Sequence, residues 1–143
     1  MSYVREFKGF AGIRLEADDI GSADDPSILL LHGGGQTRKV WADVADALHQ
    51  AGRHVINLDL RGHGGSEWPE DGRYDFDAYV EDLRAVLSQM RTRDDYLVLA
   101  SQVLPGYSHA RQIKTTQEMD KVLKNHFQMM ALPDIHKPGL HLA

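Results

Sequence analysis

The sequence contains no cysteine, and this absence excludes three kinds of chemistry together. No disulfide bridge, thiolate metal ligand or cysteine nucleophile can form. The chain also lacks a long apolar run, so its sequence predicts no membrane-spanning helix. Internal repeats and low-complexity segments are absent as well. What remains is the composition of an ordinary globular protein, with 42% hydrophobic and 26% charged residues.

Basic residues are in the minority. The 16 Lys and Arg residues against 21 Asp and Glu give a formal net charge of -5. A surface that binds nucleic acid needs a basic face to displace counterions from phosphates, and the sequence has no basic run with interleaved aromatic residues. Residues 1–8 mix charged and aromatic side chains and lack the apolar core of a signal peptide. We therefore expect a cytoplasmic protein without nucleic-acid or membrane partners.

Apolar runs and helical periodicities alternate along most of the 143 residues, a length that suits one domain. The predicted elements are strands at 3–8, 10–21, 28–31, 54–60 and 96–100, and helices that begin after the N-cap residues Thr37 and Asp75. The first two strands alternate apolar and polar residues, which is typical of an antiparallel hairpin with one wet face. The later order of strand, helix and strand predicts βαβ units. The fold class is therefore α/β, with a mostly parallel sheet flanked by helices.

The pattern changes in the C-terminal third of the chain. Pro105 is excluded from a central strand, so residues 103–108 are expected to form a loop. A capping box followed by an apolar stripe predicts one helix over about 115–131. We therefore divide the chain into a core at 1–101 and a divergent tail at 102–143.

Two glycine-rich motifs follow the buried strands. The first reads HGGGQT at 32–37, and the second reads DLRGHGGS at 59–66. With Trp41 on the helix between them, this order resembles the N-terminal half of an α/β-hydrolase, within the group of esterases, epoxide hydrolases and cofactor-free haloperoxidases. The resemblance covers residues 10–93. It implies a partial α/β-hydrolase sheet in the core, a small-molecule substrate and no cofactor.

The resemblance assigns roles to the two motifs. Gly34, after the His32-Gly33 pair, would donate its N–H to an oxyanion. The alternative is a structural turn that uses only the dihedral freedom of glycine. Residues 59–66 mostly build a turn in this family, so we interpret His63 as a structural hydrogen-bonding residue rather than a base.

The family places its nucleophile on a Gly-x-Ser-x-Gly elbow after the next strand. Here that position reads LASQV at 99–103, with Ser101 in register and both glycines replaced. A second match, GYSHA at 106–110, fits Gly-x-Ser-x-Ala but lies beyond a proline and far past the strand. We interpret it as a chance match and select Ser101.

The remaining members of a catalytic triad must follow the serine, in the order acid and then histidine. The acid would be Asp120 or Asp134, and the base would be His136 or His141. We select Asp134 and His136 with Ser101 as the catalytic set. Neither the pair His136 and His141 nor the pair Asp59 and His63 has the companions or the spacing of a zinc site, so no metal is expected.

Two hypotheses follow from these residues. In the first, the protein is a serine hydrolase of small ester or acyl substrates that works through an acyl-enzyme. In the second, it is a family fragment whose C-terminal half has been replaced after Arg93. Such a fragment would be catalytically inert and would associate, if at all, through its open sheet edge.

Overall fold

The computed structural model describes residues 2–90 in full and the backbone of residues 97–104 and 107–113. In chain order its elements are β1 (Ser2–Lys8), β2 (Arg14–Ile20), β3 (Ser27–Leu31), α1 (Ala42–Gln50), β4 (His54–Leu58), α2 (Phe76–Gln89), β5 (Leu97–Leu104) and β6 (Tyr107–Ile113). In this part of the chain neither helix has the length and apolar character needed to cross a membrane. The helix expected at 115–131 lies outside the described residues.

The strands form one six-stranded sheet in the order β1-β2-β4-β3-β5-β6. At its centre β3 pairs in parallel with both β4 and β5. The N-terminal hairpin of β1 and β2 is antiparallel, as are the β2–β4 and β5–β6 pairs. The predicted α/β class and the antiparallel N-terminal hairpin are confirmed. Because β3 and β4 run in the same direction, both glycine motifs begin at the same edge of the sheet.

The two central strands are buried along their whole length, which explains their continuous apolar pattern. Successive side chains of a strand point to opposite faces, so β3 contributes to two cores. Leu29 belongs to the core that includes Leu83 of α2. Leu30 belongs to the core on the other face, with Trp41 and Ala45. The sheet is therefore covered by a helix on each side, as predicted.

The strand predicted over 10–21 is wrong at its beginning. Phe10–Gly12 form a 3-10 turn, and β2 starts only after it. Ala11 has a φ of 58°, which is incompatible with a strand. The Phe10 N–H donates to the Asp82 carboxylate at 2.7 Å. A contact with a helix much later in the chain thus helps to fix this turn, and the local pattern of residues does not reveal it.

Both predicted N-caps are confirmed. The Asp75 side chain accepts a hydrogen bond from the Ala78 N–H at 3.4 Å and begins α2. Thr37 accepts from the Lys39 N–H at 3.3 Å, but it begins a 3-10 turn over Arg38–Trp41 that leads into α1. The α-helix therefore starts later than the sequence suggests.

The predicted end of the strand at 96–100 is wrong. The strand expected at 96–100 continues to Leu104, where it pairs with Tyr107 at the start of β6. The loop predicted over 103–108 is therefore too long at both ends, and residues 105–106 lie outside the described part. A two-residue connection is enough to join antiparallel strands. The proline argument excludes a strand at Pro105 but does not limit its neighbours.

Candidate functional site

The chain turns sharply at residues 32–35, directly after β3; we call these residues the glycine corner. The Gly33 N–H donates to the Gln36 side-chain oxygen at 2.8 Å, and the Gln36 N–H donates to the Gly33 carbonyl at 3.2 Å. On the other side, the Gly35 N–H donates to His63 Nε2 at 3.3 Å. Gly35 has a φ of 77°, which a larger residue adopts only with strain. The corner is thus held on both sides of Gly34.

The N–H of Gly34 lies between these two bonded N–H groups. Within residues 2–90, nothing accepts a hydrogen bond from it. Gly34 is half-buried and lies just beyond the carboxyl end of β3. An N–H group fixed in this way can donate to an anion that forms in front of it. The role of Gly34 in an oxyanion hole stays a prediction.

His32 joins the glycine corner to the segment after β4. Its Nε2 atom accepts a hydrogen bond from the Leu60 N–H at 3.0 Å, so its proton is on Nδ1, which donates to the Gly33 carbonyl at 2.7 Å. The ring is fully buried. Burial, reinforced by the neighbouring His63, lowers the pKa of His32 to about 4. The imidazole is therefore neutral near pH 7, which the two hydrogen bonds require.

His63 faces His32 from the second motif, with 4.9 Å between the two ring centroids. Its Nδ1 atom is 2.8 Å from the Arg61 carbonyl, and the side chain is buried. Both ring nitrogens are thus engaged with backbone groups. This geometry agrees with the predicted hydrogen-bonding role and leaves no ring nitrogen for proton transfer to a substrate.

Asp59 is the buried acceptor around which the second motif folds. Its carboxylate accepts hydrogen bonds from the Arg38 N–H at 2.7 Å and the Gly65 N–H at 2.9 Å, and it also binds the Arg38 guanidinium. Arg38 further pairs with Glu16 at 2.9 Å and Asp18 at 3.2 Å. Burial opposes the charge of Arg38, but these carboxylates raise its pKa. The sequence analysis missed Arg38, since no local pattern marks a cation that binds three distant carboxylates.

We expect Gly64→Ala to lower the free energy of unfolding by about 2 kcal/mol. Gly64 has a φ of 52°, and a Cβ atom there would overlap the Asp59 carboxylate. Gly72→Ala is the matched control, because Gly72 has a φ of 69° but open space around it. The control is expected to cost about 1 kcal/mol. Urea unfolding of both variants measures the difference, and equal losses would contradict the role of the carboxylate.

The backbone register places Ser101 beside the glycine corner. Ser101 lies in β5, where it pairs with Leu31 of β3 on one side and with His109 of β6 on the other. It is thus inside a strand rather than on a turn at the end of one. Asp134 and His136 lie outside the described residues, so the structure does not place them relative to Ser101.

The described part of the chain has a cavity of about 400 Å³. Its walls are formed by residues 10–13, which include the 3-10 turn before β2, by residues 67–71 and by Arg61. No residue of the corner lines it. In the part of the chain that the structure describes, no three His, Asp or Glu side chains are grouped so as to hold a metal ion.

Comparison with known protein families assigns the chain to one of them. The family model described as serine aminopeptidase, S33, matches residues 22–109, which is more than half of the chain. The chain belongs to this family of α/β-hydrolases. The match contains the glycine corner, the second motif and β5, so the resemblance found in the sequence is confirmed.

Individual proteins are similar to part of the chain. The chain is 38% identical to an esterase, Rv0045c, of Mycobacterium tuberculosis over 78 residues. The matched segment covers 54% of this chain and 24% of the esterase. It is 38% identical over 74 residues to the non-heme chloroperoxidase CPO-A1 of Kitasatospora aureofaciens, covering 52% and 26% of the two chains. The crystal structure of epoxide hydrolase A from Mycobacterium thermoresistibile superposes with a TM-score of 0.59 at 31% identity, covering 68% and 30%. The chain thus spans about a quarter of the length of these curated relatives.

Proposed function

We propose that this chain supplies the oxyanion-binding corner of a cytoplasmic serine hydrolase that acts on small ester or acyl substrates. The observation that carries the proposal is the N–H of Gly34, held between two hydrogen-bonded neighbours at the end of β3 and given no acceptor by residues 2–90. The similarity to an esterase, Rv0045c, supports the substrate class.

In such a reaction the serine hydroxyl attacks the carbonyl carbon and its proton passes to a histidine. The carbonyl oxygen gains negative charge as the tetrahedral intermediate forms, and the Gly34 N–H would donate to it. A single donor of this kind changes the rate by about 10² to 10³. Ser101 would be the nucleophile, with Asp134 and His136 as acid and base. No step needs a cofactor.

The strand register supports Ser101 as the nucleophile. Because β3 and β5 are parallel neighbours, Ser101 lies beside Leu31, a short distance before Gly34 in the same corner of the sheet. A nucleophile and an oxyanion donor must both reach one carbonyl group, so they have to lie close together in space.

A fluorophosphonate probe tests the assignment on the full chain. We expect the probe to label wild-type protein on Ser101, and we expect hydrolysis of p-nitrophenyl acetate to be abolished by Ser101→Ala. Ser108→Ala is the matched control, because Ser108 belongs to the chance match; it should keep both signals. Mass spectrometry of the labelled peptide identifies the serine. Absence of labelling, or labelling that survives Ser101→Ala, would rule out this mechanism.

The second candidate is an inert family fragment that pairs with another copy of itself. The position of Ser101 inside β5, with paired strands on both sides, favours it. β1 forms one outer edge of the sheet, and Tyr3 and Val4 on it are 51% and 58% exposed. An exposed edge strand can pair with a second chain. Size-exclusion chromatography over a range of concentrations separates the candidates, since a monomer that melts cooperatively would contradict this one.

A further inference from the structure

Two different bonds hold the glycine corner on either side of Gly34. One is local, because Gln36 is three residues from Gly33. The other is long-range, because Gly35 and His63 are 28 residues apart. A local bond shapes the turn itself. The long-range bond fixes where the Gly35 end of the turn lies relative to the segment after β4, and the bond from the Leu60 N–H to His32 does the same at the other end.

His63 is itself fixed in the state that this bond requires. Its Nδ1 atom lies 2.8 Å from the Arg61 carbonyl, which can only accept, so the proton must be on Nδ1. Nε2 then carries a lone pair, which accepts from the Gly35 N–H. The ring also packs against His32 at 4.9 Å with an interplanar angle of 52°. Side-chain packing and one backbone bond thus orient the acceptor before any substrate binds.

We propose that His63 is a positioning residue for the oxyanion corner: by accepting from Gly35 it holds the neighbouring Gly34 N–H in the direction of the reacting oxygen. The catalytic part of this statement rests on the proposed function. His63 does not touch the substrate in this role. A donor of this kind stabilises the transition state only when it is oriented in advance, so the bond to Gly35 affects rate more than substrate affinity.

Two variants separate the bonds that His63 makes. His63→Asn keeps a donor for the Arg61 carbonyl, but its short side chain does not reach Gly35. His63→Gln carries an oxygen at about the distance of Nε2 and can again accept from the Gly35 N–H. The asparagine variant should therefore lose the positioning bond, and the glutamine variant should restore it.

The first measurements need no catalysis. In long-range ¹H–¹⁵N spectra of the wild-type full chain, we expect the His63 proton on Nδ1 and an unprotonated Nε2. Exchange of the Gly35 amide should become about tenfold faster in His63→Asn and return toward wild type in His63→Gln. The Gly72 amide, bonded to the Pro69 carbonyl at 3.1 Å, serves as the reference and should not change.

A proton on Nε2, or an unchanged Gly35 amide in His63→Asn, would overturn the proposal. If the asparagine variant does not fold, a proton on Nε2 in the wild-type spectrum would still overturn the proposal. In active protein, His63→Asn should lower kcat about tenfold at unchanged KM, with recovery in His63→Gln. A rise in KM alone would contradict positioning. Failure of the proposed function is seen separately, as wild-type protein that the fluorophosphonate does not label.

Discussion

Asp82→Ala is expected to lower the free energy of unfolding by about 3 to 5 kcal/mol. Asp82 and Arg61 form a buried ion pair through two hydrogen bonds, of 2.6 and 2.9 Å, and their side chains are 2% and 3% exposed. Burial raises the pKa of Asp82, while Arg61 and the Phe10 N–H act in the opposite direction. Removing the carboxylate leaves the guanidinium charge, on a side chain that is almost fully buried, without its charged partner. It also removes the acceptor for the Phe10 N–H.

The neighbouring residue provides a matched control for this prediction. Glu81 pairs with Arg84 at 2.9 Å, but both side chains are 42% exposed. Such a surface pair contributes less than about 1 kcal/mol, so Glu81→Ala should have a small effect. Urea unfolding followed by circular dichroism measures both variants. If Asp82→Ala does not fold, Asp82→Asn can be measured instead, because it keeps an acceptor for the Phe10 N–H. Its loss of unfolding free energy should be larger than that of Glu81→Ala and smaller than the roughly 3 to 5 kcal/mol expected for Asp82→Ala. Similar losses in Asp82→Ala and Glu81→Ala would show that the buried pair is not important.

Acid is expected to destabilise the protein through His32. The pKa of this buried histidine is about 4 in the folded chain, compared with an ordinary value of 6.5. The unfolded chain therefore binds the proton more tightly. The contribution of neutral His32 to the free energy of unfolding is fully present above pH 6.5 and is lost as the pH falls toward 4. The difference in pKa corresponds to a loss of about 3 kcal/mol over that interval.

A variant that does not titrate isolates this contribution. His32→Gln keeps an oxygen that can accept from the Leu60 N–H, but it has no ionisable ring. Urea unfolding at several pH values between 7 and 4 should give a steep fall for the wild type and a flatter profile for His32→Gln. Parallel profiles for the two proteins would mean that another group controls acid stability.

Elements that depend on neighbouring residues were predicted well. The continuous apolar run of β3 reflects burial of every residue in it, and the caps at Thr37 and Asp75 act within three residues of themselves. The 3-10 turn at Phe10–Gly12 was missed because one of its bonds reaches Asp82, 72 residues away. The continuation of β5 was missed because strand pairing with β6 outweighed the local signal of a proline.

The candidate site shows the same division. The glycine corner can be located from its residues, because the positive φ of Gly35 is one that glycine adopts without strain. The bond between Gly35 and His63 cannot be found this way, because it depends on how β3 and β4 align in the sheet. The same holds for Arg38, whose three carboxylate partners come from two separate segments. Residue types identify the family, whereas tertiary contacts orient the groups that would do chemistry.

The position of β2 in the sheet has a consequence for how the protein folds. β2 lies between β1 and β4, although β3 and α1 separate β2 from β4 along the chain. The β1–β2 hairpin can close early, but it joins the sheet only after the whole intervening segment has been brought together. Such non-local pairing slows folding. A chain emerging from the ribosome must therefore carry this hairpin with its inner edge unpaired until β4 has been made and with its apolar face uncovered until α2 has been made. That interval is when it is most exposed to aggregation.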